Sequence, residues 1–287
     1  MRLMVHHSTD YRFDPPMRGV IQSLRLTPSA FEGQQAIDWT IEVDGAVRGA
    51  AFRDGAGDWI ETATTLGPVA AMTVEVRGEV ETQNLSGVLR GHRERVVPAV
   101  YLQGTRSTDT DAALAELARD SVAGESDGLG RAHALMRGVA GAIAYTPGET
   151  DASTTAAEAL AQGKGVCQDH THAMIAAARA LKIPGRYVVG YLHAAGGAAE
   201  ASHAWAELHV EGLGWVGFDA SNGVCPDENY IRLGSGYDAQ DAAPIRGVAQ
   251  GAGTETLDVA VKVIEADQQQ QQQQSGGGTQ SQGQSLR

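Results

Sequence analysis

The chain has 287 residues, 42% hydrophobic and 20% charged, the proportions of an ordinary globular protein with one large domain or two of medium size. Acidic residues outnumber basic ones 35 to 22, and a charge of −13 argues against a nucleic-acid backbone or an anionic membrane surface as partner. No apolar run approaches the ~20 residues of a membrane span, and Met-Arg-Leu-Met-Val-His-His turns polar before a signal-peptide core forms. Two cysteines, Cys167 and Cys225, exclude a disulfide scaffold, so the expected compartment is the reducing cytoplasm.

Residues 1–105 read as a β-rich domain. Val5, His7, Thr9, Tyr11 and Phe13 alternate with polar neighbours, and the pattern recurs at 39–43 and 72–76 with Gly and Pro between runs. His6 and His7 are adjacent on a strand and point to opposite faces, which suits structural roles rather than a metal pair.

The pattern turns helical at 111–119 and 129–143, both rich in Ala and Leu, and Tyr145-Thr-Pro-Gly148 breaks the second run. Thr155-Ala-Ala-Glu158 is a capping box opening a short helix that Gly163 ends. A further helix is predicted over 166–181, before Ile183-Pro184, followed by strands at 186–192, 203–210, 215–219 and 257–263. Residues 106–266 form the second predicted domain. Residues 267–287, with seven glutamines at 268–274 and a Ser/Gly/Gln tail, lack the apolar groups to offset ordering entropy and are predicted to be disordered.

Three segments carry chemistry. Gly163-Lys-Gly165 gives an open approach to Cys167 in the first turn of the predicted helix, where unpaired N–H groups and the dipole favour a thiolate. Asp169 suits the same dipole. On the strand from His203, the residues His203, Trp205, Glu207 and His209 share one face, and Ala204, Ala206, Leu208 and Val210 take the other. A three-residue connection at 211–213 would pair Val210 with Gly214 and make Asp219 the diagonal neighbour of His203, about 7–8 Å away between backbones. A two- or four-residue loop would put them on opposite faces. Cysteine as nucleophile, histidine as base and aspartate as its orienter form one arrangement. Each residue also has a plainer reading: a small buried cysteine, a hydrogen-bonded core histidine, a turn aspartate. Cys225, beside Pro226 in a loop, has only the plain reading.

Gly-Val-Cys-Gln-Asp with His172 five positions after the cysteine, Ile-Pro-Gly-Arg-Tyr-Val-Val-Gly-Tyr at 183–191, Ser-His-Ala-Trp-Ala-Glu at 202–207 and Gly-Trp-Val-Gly-Phe-Asp at 214–219 resemble, in order, the motifs of bacterial transglutaminase-like proteins. Gln22-Ser-Leu-Arg-Leu-Thr-Pro28 resembles the β module that precedes their core, so the resemblance spans about residues 1–265. It implies an α+β fold, with an N-terminal antiparallel module and a papain-like core whose nucleophile helix packs on an antiparallel sheet. It also implies a Cys167-His203-Asp219 triad acting through a thioester on carboxamide or peptide bonds of a protein or peptide substrate, with no cofactor.

Water as acceptor makes a peptidase or amidase, the reading favoured here, and an amine makes a crosslinking transglutaminase. The N–H of Cys167 is one oxyanion donor, with Gln162 or Gln168 as candidates for another and Trp205 as a candidate substrate contact. His170 stands where the family has an aromatic, Asp219-Ala-Ser-Asn222 replaces Asp-Pro-Thr-Asn, and Gly234-Ser-Gly-Tyr-Asp238 departs from Gly-Arg-Asp-Tyr, leaving contacts from that segment open.

Two other classes compete. A metal site from Cys167, His170, His172 and His203 is disfavoured, because residues two apart on a helix diverge by about 200° and zinc prefers an i, i+4 pair. A non-catalytic interaction module on the same fold would carry a thiol of ordinary reactivity.

Overall fold

The structure is a computed structural model that describes residues 1–194 and 202–266. The predicted disordered tail lies outside the described residues. In chain order the elements are β1 (Arg2–Leu24), β2 (Gln34–Val43), β3 (Ala46–Arg53) and β4 (Trp59–Thr82). Then come α1 (Ala112–Ser121), α2 (Gly128–Ala142), β5 (Ala144–Tyr145), α3 (Ala156–Gln162), β6 (Lys164–Gly165) and α4 (Cys167–Ala180). The chain continues with β7 (Gly185–Leu192), β8 (Ser202–Val210), β9 (Gly214–Phe218), β10 (Tyr230–Gly236), α5 (Ala239–Ala242), β11 (Ile245–Gln250) and β12 (Thr254–Glu265).

The α+β architecture agrees with the sequence: an antiparallel β module, then helices packed on a second antiparallel sheet. The division of the chain differs. The predicted strand at 257–263 was grouped with residues 106–266, yet β12 pairs with the first half of β1 and β11 with its second half, so both belong to the N-terminal sheet. Alternation alone gives a strand without naming its neighbour. β1 and β4 pair along most of their lengths, with irregularities around Met17.

The second sheet has the order β10-β7-β8-β9. One face carries Ala204, Ala206, Leu208 and Val210 against α4, from which every residue between Asp169 and Ala178 is buried. A helix buried all round needs small side chains where elements crowd, and Ala173, Ala176, Ala177 and Ala178 supply them. The segment after β4 covers the open edge of β9: Leu89 N–H donates to Trp215 O (2.9 Å) and Gly217 N–H to Gly87 O (2.8 Å). Covering an edge in this way satisfies its backbone groups and blocks further pairing.

The other face of this sheet meets the β module through buried charges. Arg232 donates to Glu207 Oε1 (2.9 Å), Asp58 Oδ1 (2.8 Å) and Ser29 Oγ (2.6 Å). Arg186 donates to Glu207 Oε2 (2.7 Å) and Glu94 Oε2 (2.5 Å), and its guanidinium lies 4.1 Å from the Trp215 ring centroid. Burial alone would raise the Glu207 pKa, but the charges and hydrogen bonds of Arg232 and Arg186 outweigh it and hold the carboxyl at about 2. His7 forms a second link, its Nδ1 being 2.8 Å from the Tyr191 hydroxyl and its Nε2 3.0 Å from Thr9 Oγ1. His6 faces solvent beside Glu75, so the two histidines do point apart.

Candidate active site

α3 and α4 bracket the turn that presents Cys167. The capping box is present, with Thr155 N–H donating to Glu158 Oε2 (2.8 Å) and Glu158 N–H to Thr155 Oγ1 (3.3 Å). Gly163 takes φ +65°, a conformation that favours glycine, and ends α3. β6 then pairs in parallel with β5 and delivers the chain to the start of α4. Asp169 reaches back to accept from Val166 N–H (2.8 Å) and from Thr150 Oγ1 (2.7 Å). A Cβ on Gly165 would sit 2.6 Å from the Asp169 Cβ, so this close cap requires glycine there. Cys167 is thus the half-buried first residue of α4, where the leading N–H groups have no intrahelical partner.

β8 and β9 have the register that the sequence required, with Val210 opposite Gly214 and Ala206 opposite Phe218. This brings His203 and Asp219 to one end of the hairpin on the same face, and His203 Nε2 donates to Asp219 Oδ2 (2.6 Å). That tautomer leaves Nδ1 as the ring nitrogen available to the sulfur of Cys167. Burial lowers the pKa of His203, yet the hydrogen bonds to Asp219 and Cys167 and the charges of both raise it to about 9. For Asp219 burial acts upward, and the His203 bond and charge, with Ser221 and Asn222, hold it at about 2.

The turn after β9 is part of the site. Ser221 N–H (3.0 Å), Ser221 Oγ (2.6 Å) and Asn222 N–H (3.2 Å) donate to Asp219 Oδ1. Asn222 Nδ2 (2.7 Å) and the Tyr230 hydroxyl (2.8 Å) donate to Oδ2. Ser and Asn just after an aspartate form a turn that folds back onto the carboxylate, and this signal was present in Asp219-Ala-Ser-Asn222. Tyr230, from β10, had no local signal.

The secondary candidates lie elsewhere. Trp205 is 3% exposed and packs beside His203 (centroids 6.4 Å apart) and edge-on to Tyr230, so it lines the back of the site and is no surface contact for substrate. Gln168 Nε2 donates to Asp151 O (3.5 Å), toward the loop that also supplies Thr150. Gln162 is the exposed last residue of α3. The His170 nitrogens face the carbonyls of Val166 and Ile143, and His172 Nε2 accepts from Ala239 N–H (3.1 Å). These two imidazoles therefore point to different backbone partners instead of converging with Cys167. Cys225 lies under the Gly87 turn, and burial pushes its thiol up to about 11.

Comparison with known proteins places these features in a family. Residues 115–220 match the transglutaminase-like superfamily and residues 3–81 the bacterial transglutaminase-like N-terminal region. An uncharacterized protein of Mycobacterium leprae is 30% identical over 276 residues, covering 91% of this chain and 98% of its own. An uncharacterized protein of Mycobacterium tuberculosis is 33% identical over 132 residues, 42% of each chain. Among solved structures, that of a candidate cysteine protease from Cytophaga hutchinsonii has a TM-score of 0.70 at 23% identity, covering 93% of this chain and 91% of that one. The chain belongs to the transglutaminase-like superfamily, as a member whose core follows the N-terminal region found in bacterial proteins of this kind.

Proposed function

We propose that the protein is a thiol-dependent acyl-transfer enzyme that hydrolyses carboxamide or peptide bonds of a protein or peptide substrate. The observation that carries this reading is the 2.6 Å His203–Asp219 hydrogen bond beside a cysteine at a helix N-terminus. Cys167 holds its proton in common with His203, and the ion pair supplies the sulfur nucleophile. The sulfur attacks the carbonyl carbon and forms a C–S bond, and negative charge moves to the carbonyl oxygen. The N–H of Cys167 is one donor placed to receive that charge. Collapse re-forms the carbonyl, breaks the C–N bond and takes a proton from His203 onto the departing amine. A water molecule then gives His203 its proton and attacks the thioester, releasing the acid and the thiol. Asp219 keeps the ring oriented and its positive form stabilised throughout.

The test is the rate of iodoacetamide alkylation at Cys167 against pH, with Cys225 as internal control and His203→Ala as comparison. Fast reaction at Cys167 near neutral pH, lost in the His203 variant, supports the reading. Equal and slow reaction of both cysteines in the intact protein would sink it and favour a binding module. Amide substrates assayed with and without added primary amine then separate hydrolysis from amine transfer.

A further inference from the structure

Asp219 follows an edge strand, and what fixes its second oxygen is unusual in origin. Oδ1 is held entirely by the turn that follows. Oδ2 receives His203 from β8, Asn222 from the turn and Tyr230 from β10, the far edge strand of the sheet. A carboxylate oxygen offers about two lone pairs, so three donors share what two would fill.

The reach of Tyr230 depends on how the sheet is built beneath it. A Cβ on Gly190 would stand 2.7 Å from the Trp205 ring, and one on Gly217 would stand 3.4 Å from it and 2.9 Å from Pro226. Without those side chains the indole lies down along the strands. The Tyr230 ring meets it edge-on, with centroids 5.4 Å apart at 85°, and this directs the hydroxyl at Asp219. Tyr230 is also two residues from Arg232, the side chain that anchors β10 to the β module.

The geometry points to Tyr230 as a positioning residue: its hydroxyl holds Asp219 Oδ2 in place and competes with His203 for it, restraining the pull of the carboxylate on the imidazolium. A base bound less tightly to its orienter returns its proton more readily to a leaving amine. This inference rests on the triad reading given above. The charged and titratable groups facing His203 are Cys167 from α4, Asp219 after β9 and Tyr230 from β10, while β7 presents Gly190 opposite it. Asp227 acts on Tyr230 from the loop before β10.

The experiment follows His203 by imidazole NMR through a pH titration of the full chain, beside the pH profile of Cys167 alkylation by iodoacetamide. Tyr230→Phe keeps the ring against Trp205 and removes only the hydroxyl, whereas Tyr230→Leu removes both. The expected result is an upward shift of the His203 midpoint by about half a unit or more in the Phe variant, with the alkylation profile moving in step. The Leu variant adds a lower thermal midpoint. A Phe variant that titrates like the parent protein, with only Leu perturbing it, would show that Tyr230 merely packs, and would overturn the inference while leaving the triad standing. If His203→Ala leaves Cys167 alkylation unchanged in the parent background, the triad fails and this role for Tyr230 fails with it.

Discussion

Two buried polar clusters share one face of β8, four residues apart, and they are built to opposite ends. Around Glu207 the charges of Arg186, Arg232, Asp58 and Glu94 meet deep between the β module and the core, and the Arg186 and Asp58 side chains have no exposure at all. Around His203 the imidazole meets a carboxylate on one side and a half-buried thiol on the other. Ion pairs sealed from water can fix an interface but have no route to a reactant. The triad end keeps one partner at the rim of the fold, at the start of a helix, where a reacting group can reach it.

That contrast is open to attack at several points. The largest expected effect is chemical: Cys167→Ala abolishes acyl transfer and alkylation at that position, while the denaturant midpoint moves by only about 1 kcal/mol or less in equivalent stability. A large loss of stability would place Cys167 with the structural cluster. Arg232→Met works the other way. It strands Asp58 and Glu207 without their shared partner and is expected to cost about 3–5 kcal/mol in urea unfolding. A variant as stable as the parent would show that the network is dispensable.

Next comes His203→Ala, expected to slow Cys167 alkylation at neutral pH by about a hundredfold with little change in unfolding. The pH dependence of stability separates the clusters by sign. Glu207 and Asp219, both held at about 2, contribute stability that is present above the ordinary carboxylate range and lost as pH falls toward 2. His203, raised to about 9, contributes stability that is complete below its ordinary value and lost as pH rises through 9. Urea titrations in Glu207→Gln and His203→Ala backgrounds should therefore remove the acid limb and the alkaline limb respectively. The smallest effect is at Cys225, whose thiol, pushed to about 11, should remain almost unalkylated at pH 7 on the timescale of Cys167.

The two clusters were not equally legible. The triad could be read because its parts are local: a glycine-flanked helix start, a strand, and a hairpin whose odd loop sets the register. Caps at Thr155 and Gly163 fixed where the helices break. The Glu207 network had no such signal, since its members come from positions 58, 94, 186, 207 and 232 and are joined only by tertiary packing. β10 was hidden for a physical reason as well. Gly234, Ser235 and Gly236 read as a loop, but a Cβ on Gly234 would lie 2.2 Å from Arg25 Cδ and one on Gly236 2.6 Å from Ala242 N, so glycine is what lets this strand run between crowded neighbours. Missing β10 meant missing both Arg232 and Tyr230.

The pairing of β1 with β12 also sets an order of events in the life of the chain. Asp14 bonds to Thr254, 240 positions away. At ribosomal speeds of about 5–20 residues per second, β1 waits roughly ten to fifty seconds for this neighbour to be synthesised. Throughout that interval one edge of the first strand lacks its native partner and is open to other strands, in a nascent chain whose nucleophile helix and both sheets of the core are already out. The nascent module thus depends on chaperoning or on transient local pairing, and maturation of the whole molecule is completed by a late zipping of its last strand onto its first.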